Sequence, residues 1–327
     1  MIQIRKKPIE IRKLEALRPR ISTDNPKYEN VNESFRKKMS GYNGEKSLEY
    51  YLKFFPDKQY HIFKNLRLLD PLTNTFFEID TLLVSNTLIL ELDAKSHKGE
   101  LHFDHHFDQM HQTYDDNKIT YACPLLQLRR HEVQLRRFLE TNKIPVPPIE
   151  SLVVITNPST RLTATSNHPG IHKIINSPTL LPKKELLEKK HKKVVLEHKQ
   201  IQKLSRLFKK LHTPYDKNIL KRFSIEKGEL LKGVFCPKCG FLPMDRTPRQ
   251  WRCTNCGHVS KTAHLQAIVD YGLLIDSKIT NKELRDFLLL PSRMAATHIF
   301  KTLRLECTGN TKGREYLLGS ILEQEDE

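Results

Sequence analysis

The side chains best placed to do chemistry are Asp80, Asp93 and Lys95, two acids separated by twelve residues and a lysine two places beyond the second. The residues around them, Glu78-Ile79-Asp80-Thr81-Leu82-Leu83-Val84 and Leu88-Ile89-Leu90-Glu91-Leu92-Asp93-Ala94-Lys95, read as adjacent strands joined by a turn at Ser85-Asn86. Side chains alternate along a strand, so Asp93 and Lys95 share a face while Leu92 and Ala94 take the other. A short hairpin would bring Asp80 beside Asp93, setting two carboxylates and an ammonium at one sheet edge. That set suits a divalent cation on a phosphodiester: the acids hold Mg²⁺ or Mn²⁺, and the lysine orients the attacking water and offsets developing charge. Glu45, on a preceding helix, is placed to complete the metal shell or orient a second water. Glu91 lies on the face of Asp93 and Lys95; it reads either as a third carboxylate or as a charge pointing outward at a twisted strand end. The acid-x-Lys spacing favours Asp93.

A second constellation is Cys236-x2-Cys239-x13-Cys253-x2-Cys256, with Gly240 and Gly257 following the second cysteine of each pair. Two such knuckles supply four thiolates, which close a tetrahedral shell around a structural Zn²⁺ and leave no open position. The remaining cysteines, Cys123 and Cys307, stand alone. Trp251 reads as packing on the ribbon core. His102, His105, His106 and His111 cluster without a cysteine or acid at fixed spacing, and read as solvated loop histidines.

The elements that position these groups follow from periodicity. A helix is expected to begin near Gly44-Glu45, burying Leu48, Tyr51, Leu52 and Phe55. Strands are expected over Tyr60 to Leu69, Phe76 to Val84, Leu88 to Lys95 and Leu101 to Phe103. A long amphipathic helix spans Pro124 to Thr141, and a further strand Leu152 to Thr156; this order is an α/β pattern. Residues 183–222 hold fourteen Lys or Arg against four acids and keep an apolar helical pattern. Near the C-terminus, Thr280-Asn281-Lys282-Glu283 is a capping box. A break at Leu290-Pro291 precedes a helix from Ser292 to about Leu303, with Ala296, Ile299, Phe300 and Leu303 inward. Its outward residues Arg293, Thr297, His298 and Lys301 form a groove-reading set, and Gly309 to Arg314, with Lys312 and Arg314, reads as a basic wing.

The chain of 327 residues carries a formal charge of +17, which favours polyanionic partners, and its ordinary aromatic content marks it as folded. No apolar run reaches the length of a membrane span, and the N-terminus lacks the apolar stretch of a signal peptide, so a cytoplasmic protein without a membrane partner is expected. Paired cysteines in such a compartment favour metal over disulfides.

Gly44-Glu45, Ile79 to Leu83, Leu90 to Lys95 with Gly99, and Pro124 to Gln127 together resemble the NERD (nuclease-related) domain of the PD-(D/E)xK nuclease superfamily. The resemblance implies a restriction-endonuclease-like core, a mixed sheet flanked by helices, with a metal site carried onto Glu45, Asp80, Asp93, Lys95 and Gln127. Asp93 stands where the family usually has Glu, and Glu91 where it is usually apolar. The expected organisation is a basic arm (1–37), a nuclease-like domain (38–160), a basic helical region (161–232), a zinc ribbon (233–262), a winged helix-turn-helix-like module (263–320) and an acidic tail (321–327). A metal-dependent nuclease acting on nucleic acid, DNA before RNA, is the expected function. The alternative is a nucleic-acid-binding regulator that keeps the nuclease fold without cutting.

Overall fold

Residues 5–56, 58–309 and 313–324 are described by a computed structural model. Helices α1 (Ile9–Leu17), α2 (Tyr28–Ser47) and α3 (Glu49–Leu52) precede strands β1 (His61–Asp70), β2 (Thr75–Val84), β3 (Ile89–Lys95), β4 (Glu100–Asp104), β5 (Gln109–Tyr114) and β6 (Asn117–Ala122). Then come α4 (Pro124–Thr141), β7 (Ile149–Ile155), β8 (Arg161–Ala164), β9 (Ile174–Asn176), α5 (Leu180–Lys190), α6 (His198–Leu211) and α7 (Ile219–Arg222). The C-terminal part contains β10 (Asp245–Thr247), β11 (Gln250–Arg252), β12 (Val259–Ser260), α8 (His264–Leu274), β13 (Lys278–Thr280), α9 (Asn281–Leu288), α10 (Arg293–Leu303), β14 (Cys307–Thr308), β15 (Glu315–Leu317) and α11 (Gly319–Gln324). Two compact units result: Arg5 with Met39–Tyr215, and Lys6–Lys38 with the described part of Asp216–Glu327.

The first unit is built on a mixed sheet of order β1-β2-β3-β7-β9, antiparallel from β1 to β3 and parallel from β3 to β9. Strand β7 is largely apolar because both faces of the sheet are covered, and β3 is apolar on the face of Leu90, Leu92 and Ala94, while Glu91, Asp93 and Lys95 follow Ile89 on the other. On one face Leu83, Leu90 and Leu92 pack on Leu48, Leu52 and Phe55. On the other, Leu82, Val84 and Ile89 pack on Leu135, Phe138 and Leu139 of α4 and on Ile201, Leu204 and Phe208 of α6. Full burial of each such side chain stabilises by about 1.5–3 kcal/mol. The β2–β3 turn closes through the Ser85 hydroxyl, which donates to the Leu88 carbonyl at 2.9 Å.

The helix expected to start at Gly44 instead starts at Tyr28, and Glu45 lies in its last turn. The polar segment before Gly44 reads as helical stretches with little apolar periodicity, which hid where the helix starts. A second, four-stranded sheet, β6-β5-β4-β8, exceeds the single strand expected there. Its β5–β6 hairpin turns at Asp115 and Asp116, both with positive φ (46° and 59°), as a two-residue primed turn requires. Its outer strand β6 is largely exposed and polar, so no apolar alternation announced it. Of the histidines read as loop residues, His105 and His106 lie in the β4–β5 turn, but His102 is on β4 and His111 on β5, directly paired, with their Nδ1 atoms bonded to the hydroxyls of Thr163 and Thr120 at 3.0 and 2.9 Å.

In the second unit, Leu14, Leu17, Ile21 and Val31 share a core with Ile219, Leu220, Val269 and Leu273. A second core joins Val234, Cys236, Met244, Trp251 and Cys253 to Ile268, Tyr271, Leu284, Phe287, Ile299 and Phe300. The cysteine segment and the helices after it therefore fold around the same apolar interior. Helix α9 starts on the capping box in which Thr280 and Glu283 bond reciprocally, and ends at Leu289 in the left-handed region (φ 55°). Strands β13, β15 and β14 close a small antiparallel sheet beside α9 and α10.

Candidate functional site

The β2–β3 ladder ends at the pair Thr81–Leu92, and beyond it β3 continues with β7 alone. The two strands part just where the acids stand. Asp80 Oδ2 accepts the Ala94 backbone N–H at 3.1 Å, which ties the carboxylate to β3. Asp93 is only 3% exposed; its Oδ1 accepts from Lys95 Nζ at 2.8 Å, and its Oδ2 is buried without a hydrogen-bond partner. The expected shared face of Asp93 and Lys95 is thus a direct ion pair.

Glu45 reaches this corner because α2 approaches β3 closely. A Cβ on Gly44 would meet Ser96 Cβ at 2.7 Å and Thr156 Oγ1 at 2.8 Å, so only glycine permits that approach. Glu45 is bound by a residue the sequence did not single out. Arg5 pairs with Glu45 and Asn65, and donates to Thr81 Oγ1 at 2.7 Å and to the Asp80 carbonyl at 3.0 Å. Asn65, facing Asp80 across the sheet, has a positive φ of 51° and is skipped by the ladder, as Lys64 pairs with Thr81 and Leu66 with Ile79.

Crowding the carboxyls has an electrostatic consequence. Burial, and then the Asp80 charge, push the Asp93 carboxyl up to about 7 against the pull of Lys95. Burial, and then Asp80, push Glu45 to about 8 although Arg5 opposes. Burial works against the Lys95 ammonium, yet Asp93, Asp80 and Glu45 together hold its pKa above the usual lysine value. Such a corner gains from an added cation. The orphaned buried Oδ2 of Asp93 beside Asp80 fits a metal ligand; among the described residues, however, no three carboxylates bring one oxygen each within 4.8 Å of one another.

Glu91 does not point outward. It is 1% exposed, and its Oε1 meets His131 Nδ1 of α4 at 2.6 Å. This partner accounts for a buried acid between Leu90 and Leu92; the cue was a histidine on the apolar stripe of α4. Gln127 lies one turn before His131 on the same helix, so the two share a face. The N-terminal residues Leu125 and Leu128 pack with Val153 and Ile155, while Leu135 and Phe138 pack with Ile149. Helix α4 therefore runs antiparallel to β7, and to β3 beside it, so Gln127 lies from His131 toward the Asp93 end of β3.

The four cysteines converge: one Sγ from each lies within 4.8 Å of the others. Cys236 and Cys256 Sγ are 3.7 Å apart, and Cys239 and Cys253 Sγ 3.6 Å. Zn–S bonds of about 2.3 Å in a tetrahedron require S···S separations near 3.8 Å, so the cluster can hold a metal of that kind. Both knuckles close alike, with Gly240 N–H donating to Cys236 O and Gly257 N–H to Cys253 O, each at 2.9 Å. Both glycines have positive φ (72° and 71°). Trp251 is fully buried, and its Nε1–H donates to His264 Nδ1 at 3.2 Å.

On α10, Arg293, His298 and Lys301 are exposed. Thr297 is half-buried; its hydroxyl donates to the Arg293 carbonyl at 2.9 Å and meets Asn281 Nδ2 at 3.2 Å, so the helix pair already uses it. Met294, at 82% exposure, shares the outer surface and was not singled out from sequence. Arg314 Nε donates to the Gly309 carbonyl at 3.1 Å, and Lys312 lies outside the described residues. No helix is long and apolar enough to cross a membrane among the described residues.

Comparison with known proteins bears on the first unit. No curated protein and no solved structure matches the chain. Residues 40–156, the stretch that carries Glu45, Asp80, Asp93, Lys95 and Gln127, match the family model of NERD, the nuclease-related domain.

Proposed function

We propose that the chain is a metal-dependent nuclease that hydrolyses phosphodiester bonds, with DNA as the favoured substrate. The observation that carries this reading is the corner where β2 and β3 part: Asp80 tied to β3, Asp93 with a free buried oxygen, and Lys95 2.8 Å from Asp93. Asp80 and Asp93 would hold Mg²⁺ or Mn²⁺, which when bound polarises the phosphate and acidifies the attacking water. Lys95, held by Asp93, presents its ammonium to that water and to the charge that builds on the phosphate. Glu45, kept in place by Arg5, orients a second water or supports the cation, and Gln127 offers an amide to a phosphate oxygen. The four cysteines hold structural Zn²⁺.

The second unit supports a duplex substrate. The order α8, β13, α9, α10, β14, β15, with sheet order β13-β15-β14, supports reading this part as a winged helix-turn-helix. In that reading α10 enters the major groove with Arg293, His298 and Lys301, flanked by Thr297, and Lys312 and Arg314 belong to the wing.

The alternative, a nucleic-acid-binding protein that keeps the fold without cutting, is favoured by one feature: Glu45 and Asp93 are already paired with Arg5 and Lys95. Incubation with single- and double-stranded DNA and RNA in Mg²⁺, Mn²⁺ or EDTA separates the two. Cutting that needs the metal and is lost in Asp80→Asn and Asp93→Asn, with duplex affinity kept, supports the nuclease. Cutting by Asp80→Asn at the wild-type rate rejects the assigned site. Binding without metal-dependent cutting of any substrate selects the alternative.

A further inference from the structure

Helix α6 carries Lys199, Lys203, Arg206, Lys209 and Lys210 and no acidic residue. All five cations are exposed, and among the described residues none is in an ion pair; Lys203 donates only to the Asn142 carbonyl, at 2.8 Å. Lys199, Lys203, Arg206 and Lys210 recur at steps of four, three and four residues. That spacing lines them along one side of the helix. Eleven residues at 1.5 Å each make the stripe about 16 Å long.

The helix is a fixed platform. Its start is pinned to the β2–β3 turn, where the Val195 and Leu196 N–H groups both donate to the Asn86 carbonyl at 2.9 and 3.0 Å. Its Glu197–Gln200 capping box closes the first turn. Its inner side is buried: Phe208 stacks on Phe138 of α4 (ring centroids 5.5 Å) and meets Phe63 of β1 edge-on (5.0 Å), with Ile201 and Leu204 beside it.

A basic amphipathic helix has three ordinary partners: an anionic membrane, the groove of a helix-binding protein, or a polyphosphate. The first two take up the apolar side. Here that side is already spent in the core, and only the cationic side faces out. We propose that this stripe docks the phosphate backbone of a DNA duplex, independently of sequence. Duplex DNA carries a charge about every 1.7 Å, so a 16 Å stripe faces on the order of nine phosphates, ample for four cations. The proposal extends the nucleic-acid reading to a second surface, and it holds whether or not the carboxylate corner cuts.

The test uses the full chain in EDTA, so that cutting does not enter, and labelled duplexes of three unrelated sequences across a salt series. The variant Lys199→Gln/Lys203→Gln/Arg206→Gln/Lys210→Gln changes only exposed side chains. A control, Lys53→Gln/Lys98→Gln/Lys118→Gln/Lys261→Gln, removes the same charge elsewhere. The α6 variant is expected to lose at least about tenfold in affinity near 0.1 M salt, equally for all three duplexes. Its log–log salt slope should flatten by about 0.9 for each phosphate no longer neutralised, while the control keeps most of both. An unchanged slope, or an equal loss in the control, overturns the proposal. So does α6-dependent capture by vesicles containing anionic phospholipid with duplex binding unaltered, which would make the partner a membrane.

Discussion

Asp93 and Glu45, raised to about 7 and 8, bind protons that the unfolded chain has already released. A folded state that holds more protons than the unfolded one loses stability as pH rises, here from the ordinary carboxylate range up through about 8. In the proposed nuclease a divalent cation bound to the ionised acids would offset that loss. Mg²⁺ or Mn²⁺ should therefore raise Tm more at about pH 8.5 than at pH 6, and Asp80→Asn should remove the difference. Equal shifts at both pH values would detach the acids from the metal. The Glu91–His131 pair makes a second prediction at this scale. Removing one partner leaves a buried ionisable group alone, which costs about 3–5 kcal/mol, whereas replacing both with apolar residues of similar volume is often neutral or stabilising. Urea unfolding of His131→Leu should show the large loss, and Glu91→Leu/His131→Leu should recover most of it. A double variant as unstable as the single would mean that the pair does not act as a unit.

Among the elements, the β11–α8 junction depends on one protonation state. His264 must be neutral at Nδ1 to accept the Trp251 Nε1–H, and burial, with the Arg246 charge adding to it, lowers its pKa from 6.5 to about 4. Protonation favours the unfolded chain between those values, so stability is complete above pH 6.5 and declines as pH falls toward 4. At 1.36 kcal/mol per pKa unit the loss approaches about 3 kcal/mol. Trp251 is the sole tryptophan, so its emission follows the unfolding of this core. The midpoint in urea should fall between pH 7 and 5 in the wild type and fall less in His264→Gln, which still accepts the bond but does not titrate. Thiolate protonation affects both proteins alike. Parallel declines would remove His264 as the cause.

For the molecule as a whole, charge and base reading are expected to lie on different elements. An excess of +17 draws any polyphosphate, but only side chains set into a groove tell one sequence from another. Arg293→Ala and Lys301→Ala should change preference within a random-sequence duplex pool, by about 1–3 kcal/mol at the base pair each one reads. Neutralising the α6 stripe should weaken every sequence alike. If both α10 variants leave affinity and preference unchanged, α10 is a packing helix and the second unit reads no bases.

Local spacing was enough for the features that need only neighbours along the chain. The β2–β3 hairpin, the shared side of Asp93 and Lys95, the α4 helix and the paired cysteine knuckles follow from periods of two and 3.6 residues and from short ligand spacings. What the sequence left open depends on partners remote in the chain. Glu91 was ambiguous until α4 placed His131 against it, forty residues away. Arg5 carried no signal, because its role exists only where β1, β2 and α2 meet around its guanidinium. The true start of the polar helix at Tyr28 and the exposed β6 strand were not legible for a related reason: tertiary packing holds them, and their own residues show little apolar repeat. Thr297 shows the converse, an outward position by helical phase that Asn281 of the neighbouring helix had already engaged. Periodicity assigns a side chain to a face; only the packed chain decides what meets it there.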